Sequence, residues 1–113
     1  MGYYSTVYLG IEPSLIDQLL TFVGSNKEVF KLLFKDAETV KTEKGGILFQ
    51  WSNIKWYTGT YPEIDELEAW LGEGERYEDF KFIRMGEEYG DCTTEGHSSQ
   101  FEFFPHQHIE VHY

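Results

Sequence analysis

DFKFIRMGEEYGD, residues 79–91, is the stretch that decides the fold. Its first half carries large apolar residues on alternate positions of both faces: Phe80 and Phe82 on one, Ile83 and Met85 on the other. Successive strand residues point to opposite sides of a sheet, so this is a strand with two buried faces. It therefore belongs in the middle of a sheet. At Gly86 the chemistry inverts to carboxylates, Glu87, Glu88 and Asp91, with Tyr89 and Gly90 between them. Arg84 is the odd cation beside them, and a pairing with Glu87, Glu88 or Asp91 would hold the loop.

The rest of the chain supplies a scaffold. Tyr3 to Ile11 alternates, with Val7, Leu9 and Ile11 on the expected core face. Glu12-Pro13-Ser14 opens a helix, and Ile16, Leu19, Leu20 and Val23 give it an apolar stripe. Gly24 interrupts it, and Ser25 with Glu28 forms a capping box for a continuation through Val29, Leu32 and Leu33. Residues 38–42 read as a weak strand and Gly45-Gly46 as a turn. Ile47, Phe49 and Trp51 mark a clear strand whose phase slips at Ser52-Asn53, because Ile54 and Trp56 are the next large apolar residues. That slip predicts a β-bulge. Pro62 opens a second helix with Ile64, Leu67, Trp70 and Leu71 inward and Gly72 at its end. Residues 73–78 read as an acidic connector and 87–99 as a long polar loop. Phe101 to Phe104 reads as a short strand, and His106 to Tyr113 as a last one.

The resulting order, β-α-β-β-α-β-β, predicts an α+β fold: a ferredoxin-like βαββαβ two-layer sandwich with an extra C-terminal strand. Helices should lie on one face of an antiparallel sheet. The extra strand, laid beside Phe80–Met85, would make that strand central. The 113 residues make one domain with one core.

Composition narrows the function. Nine Phe, eight Tyr and three Trp exclude a disordered chain. The net charge of −11 is unevenly placed. Residues 1–62 sum to zero, whereas residues 63–95 hold twelve acids against Arg76, Lys81 and Arg84. Such a field repels nucleic-acid phosphates and anionic membranes and attracts a basic protein surface or a cation. It also keeps an aromatic-rich protein in solution. Cys92 is the single cysteine, which excludes an intramolecular disulfide and fits a reducing, cytoplasmic compartment. No apolar stretch approaches membrane-spanning length, and no signal peptide opens the chain.

The polar patterns leave several chemistries open. On the last strand His106, His108, Glu110 and His112 share one face by period two. His106 and His108 could ligate one divalent transition metal, with His112, Glu110, His97 or Cys92 as a third ligand. The same pattern also fits an exposed strand face. Glu87, Glu88 and Asp91 could act as an acid/base pair, although their spacing fits no calcium loop. Cys92 with His97 has neither an oxyanion elbow nor a nucleophile signature around it. No phosphate-binding glycine loop is present in the sequence.

The segment FIRMGEEYGD at 82–91, preceded by IKWYTGTYPEIDELEAWL, resembles small uncharacterised proteins of phage and prophage origin. In those a Y/F-x-F-I-R-x-G-E-E/D run follows a similar helix. The resemblance covers about residues 54–91 and implies an intracellular bacterial or phage protein, with no activity to carry over. After Glu88 those relatives continue with Asp-Asp-Ile-Glu-like residues, and here the chain has Tyr89-Gly90-Asp91-Cys92.

The reading that follows is a small non-enzymatic binding protein that requires no cofactor. Glu63, Glu66, Glu73, Glu75, Glu78, Glu87, Glu88 and Asp91 would form a surface imitating a phosphate backbone, with Tyr77 and Tyr89 as rigid contact area. A phage-encoded modulator or inhibitor of a host nucleic-acid-handling protein is its concrete form. The alternatives are a metal-binding protein or hydrolase using the histidine strand and the Glu87/Glu88/Asp91 loop, and a homo-oligomeric structural protein, a homodimer being its simplest form.

Overall fold

The fold is drawn from a computed structural model, which describes residues 4–56, 59, 61–73, 76–87, 91–98, 101–103 and 111–112. Five strands form one antiparallel sheet: β1 (Ser5–Ile11), β2 (Glu38–Lys41), β3 (Ile47–Ile54), β4 (Phe80–Met85) and β5 (Cys92–Glu95). Their order across the sheet is β2-β3-β1-β4-β5. The helices are α1 (Pro13–Gly24), α2 (Lys27–Lys31), which runs on into a π turn at Leu32–Asp36, and α3 (Pro62–Gly72). A 3₁₀ turn at Arg76–Asp79 leads into β4.

The two faces of β4 sort as their side chains require. Phe80 and Phe82 join Val7, Leu9, Ile11, Phe49 and Trp51 in the main core beneath the helices. Ile83 and Met85 point the other way and pack with Leu48 and Phe101 in a smaller second core. β4 is central, with β1 on one side and β5 on the other. Its outer neighbour differs from the expected one. The fifth strand of the sheet is Cys92–Glu95, drawn from the segment read as a polar loop, and not the histidine-bearing tail. A Thr-Thr pair suits an edge strand that needs only one apolar side chain inward, and Cys92 supplies it. In the tail, β6 (Glu102–Phe103) pairs with β7 (Val111–His112) as a separate two-stranded ribbon.

Two local expectations are corrected. In α1 the buried positions are Leu15, Leu19 and Val23, an i, i+4, i+8 row. Ile16 is only partly covered, and Leu20 is 48 % exposed. The expected stripe was rotated by about one residue, because Leu15 and Ile16 are equally apolar and periodicity alone does not choose between them. The cap of α2 is Asn26, whose side chain accepts from the Val29 amide at 3.2 Å; Ser25 instead donates to the Phe22 carbonyl.

The bulge falls where the phase slip put it. Ser5 pairs with Ile54 and Val7 with Trp51, so two steps on β1 span three on β3. The extra residue turns Ile54 and Trp56 to the same side as Trp51. A row of rings then runs Phe34, Phe49, Trp51, Trp56, Phe82, with successive centroids 5.2–6.3 Å apart.

Two glycines are required by close approach. Gly10 lies in the middle strand, and a Cβ there would sit 2.5–2.7 Å from the Cδ atoms of the Phe101 ring. Gly96 has φ +85°, and a side chain on it would collide with the Phe80 carbonyl. The buried Phe101 ring thus occupies the space that a side chain at position 10 would fill. Phe101→Ala should cost roughly 3 kcal/mol in urea unfolding, as for other buried ring deletions. Gly10→Ala should be destabilising alone but much less so in the Phe101→Ala background. Additive effects in the double-mutant cycle would contradict this packing.

Candidate functional site

The acidic segment 63–95 is organised by what happens to its cations. Arg84 stands on β4 and makes a two-pronged pair with Asp91, at 2.8 and 3.4 Å. It also donates to the hydroxyls of Ser5 and Thr93, each at 3.3 Å. The Gly86 amide donates to the Asp91 carbonyl at 2.8 Å, so the β4–β5 turn is closed from both ends. Among the described residues, the expected pairing of Arg84 is made with Asp91. Glu87 is engaged elsewhere, accepting from the Tyr4 amide at 2.6 Å.

Arg76 is drawn inward in a similar way. Its Nη1 donates to the carbonyls of Trp70 at 2.7 Å and Glu73 at 3.1 Å, and its guanidinium lies 4.4 Å over the Trp70 ring. Trp70 in turn stacks on Phe22, with centroids 5.3 Å apart and planes 6° from parallel. Lys81 alternates with Phe80 and Phe82, which puts it on the sheet face away from the helices.

The carboxylates take the opposite course. Glu66 of α3, Glu73 just past its end, Glu78 of the 3₁₀ turn, Glu87 and Glu95 are all exposed. Glu63, in the first turn of α3, is partly covered. Glu68 of α3 and Glu95 of β5 border one hollow of about 100 Å³, floored by Leu71, Phe80 and Phe82. Glu68 also lies 3.5 Å from the Trp56 indole nitrogen, which donates to it. Glu68 and Glu95 were absent from the expected acidic set. The pairing of Phe82 with Glu95 turns Glu95 toward the helix side, and only the strand assignment of 92–95 reveals that.

The remaining expected residues divide. Tyr77 is half-buried, 5.5 Å from Phe80 and 6.0 Å from His97 between centroids. It belongs to the rim of the core and not to an open contact surface. Glu75, Glu88, Tyr89, His106 and His108 lie outside the described residues. Among the described residues no group of three His, Cys, Asp or Glu side chains gathers as metal ligands would. No helix among them is long and apolar enough to cross a membrane.

A second feature went unseen in the sequence: a cleft of about 280 Å³ between α2, the end of β3 and the start of α3. The signal that pointed to it was the phase slip at Ser52-Asn53, since bulges recur beside binding sites.

Comparisons with protein-family models, with curated proteins and with solved structures gave no match.

Cys92 faces the second core, and burial raises its thiol above the ordinary range. Arg84 opposes that rise, and Asp91 adds to it. The thiolate is the reactive form, so alkylation of Cys92 should be slow at neutral pH and quicken as pH rises. Asp91→Asn removes the charge that raises the pKa and frees Arg84 to lower it. The midpoint of the alkylation–pH profile should therefore move down, with faster alkylation at a fixed pH below it. An unmoved or raised midpoint would show that Asp91 does not act on the thiol.

Proposed function

We propose that this protein is a small acidic binding module that docks on a basic protein surface through the face formed by α3 and β5. One observation carries the reading. Within residues 63–95 the two arginines are turned into internal contacts, whereas Glu66, Glu73, Glu78 and Glu95 face outward. The side chain of Arg76 is 20 % exposed and that of Arg84 is 17 %. A surface built this way presents net negative potential, offset at Glu73 by the Arg76 guanidinium 3.9 Å away.

The concrete form is a modulator or inhibitor that occupies the Lys/Arg groove of a nucleic-acid-handling protein. The resemblance of residues 54–91 to phage and prophage proteins supports a bacterial or phage setting. Glu63, Glu66, Glu73, Glu78 and Glu95 are the binding carboxylates in this reading, while Glu87 and Asp91 hold the turn and Glu68 meets the Trp56 indole. The scaffold is read as a ferredoxin-like βαββαβ sandwich extended by a fifth strand. The adjacency β2-β3-β1-β4 and the antiparallel pairing throughout support that plan.

A homo-oligomer is the second reading, favoured by Leu20 and Phe30, which are 48 % and 41 % exposed on α1 and α2. Sedimentation velocity over a wide concentration range separates the two: the binding module stays at one mass, the oligomer does not.

The direct test compares two charge-reversed variants against basic nucleic-acid-binding domains at increasing salt. Glu66→Lys/Glu73→Lys/Glu95→Lys should weaken binding about tenfold or more and flatten its salt dependence. Asp17→Lys/Glu38→Lys/Glu43→Lys makes the same change in net charge on other elements and should leave affinity within about twofold. Equal losses from both variants, or binding indifferent to salt, would reject a specific acidic face. Reversal at Glu87 or Asp91 is uninformative, because it also breaks the contacts to Tyr4 and Arg84.

A further inference from the structure

Two interruptions of regular backbone meet at one place in this fold. The π turn Leu32–Asp36 follows α2, and the β-bulge interrupts β3 between Trp51 and Ile54. The Trp51 indole N–H ties them together by donating to the Leu32 carbonyl at 3.0 Å. Both irregularities recur beside binding and catalytic sites, where they re-aim side chains. Here they open onto the 280 Å³ cleft that runs to the first turn of α3.

The floor of that cleft is aliphatic: Leu32, Ile54 and Ile64. Its walls are charged with both signs, by Lys31 and Lys55 and by Glu28, Asp36 and Glu63. None of the five forms an ion pair among the described residues. Lys55 rests near the Tyr4 ring, 5.6 Å from its centroid. An apolar floor ringed by charged side chains of both signs without ion pairs defines a ligand by its chemistry. A purely anionic or purely cationic molecule would be attracted by one set of walls and repelled by the other. A molecule with both charges and an apolar body satisfies all three surfaces. The volume lies at the small end of ligand pockets, which suits a small molecule.

We propose that the cleft binds a small zwitterion with an aliphatic body, the chemistry of a free aliphatic amino acid. Its carboxylate meets Lys31 and Lys55, its ammonium group meets Glu28, Asp36 and Glu63, and its side chain covers Ile54 and Ile64. The site is separate from the outer face of α3, sharing only Glu63 with the acidic surface.

The test is a titration of the ¹⁵N-labelled full chain followed by amide chemical shifts. L-leucine should give saturable shifts centred on Leu32, Asp36, Ile54 and Ile64, with Kd on the order of 1 mM or tighter. Each pole is probed on the unaltered protein. Glycine lacks the body, 4-methylpentanoate the ammonium group and isoamylamine the carboxylate; each should bind at least about tenfold more weakly than leucine. Lys31→Met/Lys55→Met should weaken leucine by a similar factor and leave isoamylamine unchanged. Glu66→Lys/Glu73→Lys/Glu95→Lys should leave the leucine titration unaltered, which separates this site from the acidic face. The absence of saturable shifts at the cleft, or equal binding of leucine and 4-methylpentanoate, would overturn the assignment.

Discussion

The hydrogen bond from the Trp51 indole to the Leu32 carbonyl holds two departures from regularity in register. A buried indole N–H without an acceptor is costly, so Trp51 can be buried only where a carbonyl is offered. The seam between α2 and the π turn offers one, because the helical bonding pattern changes there and a carbonyl has two lone pairs. In return, Trp51 fixes where the helical layer sits along β3. The bulge beyond it then brings Trp56 back to the core side, against Phe82 of β4. The row of rings from Phe34 to Phe82 thus links the π turn, β3 and β4.

How much of this could be read from the residues depends on how far apart the interacting groups are. The strand at Phe80–Met85 was legible because its two faces are unambiguous, and the bulge because a phase slip is a local count. The inward set of α3 was legible for the same reason: Ile64, Leu67, Trp70 and Leu71 leave one possible face. The stripe of α1 was not, since Leu15, Ile16, Leu19 and Leu20 offer two faces of nearly equal hydropathy and only packing selects one. The fifth strand was hidden by composition. Thr93, Thr94 and Glu95 look like loop residues, and they become a strand because Ile83 and Phe82 present an open edge. The pair between Arg84 and a nearby acid was legible as chemistry, while its two-pronged geometry with Asp91 depends on the turn.

The candidate surface was legible only as a charge count. Sequence places twelve acids in one segment, but it does not say which are spent internally. Glu87 and Asp91 serve the turn, and Glu68 reaches the Trp56 indole. Those engagements are long-range or cross-element, beyond what spacing along the chain conveys. The mixed-sign cleft was harder still, because its walls come from residues 28 to 64 and no stretch of them looks like a motif.

Phe101 has a consequence for the order of events during synthesis. The ring that fills the space above Gly10 leaves the ribosome ninety-one residues after it, once every strand of the main sheet has already emerged. Until then the face carrying Leu48, Ile83 and Met85 has no lid over its centre. The nascent chain can complete the helix-covered layer early, but its second layer closes only once Phe101 has arrived. A polypeptide stalled before residue 101 would present an apolar groove with a glycine at its base, a shape that chaperones and the strands of neighbouring chains both recognise.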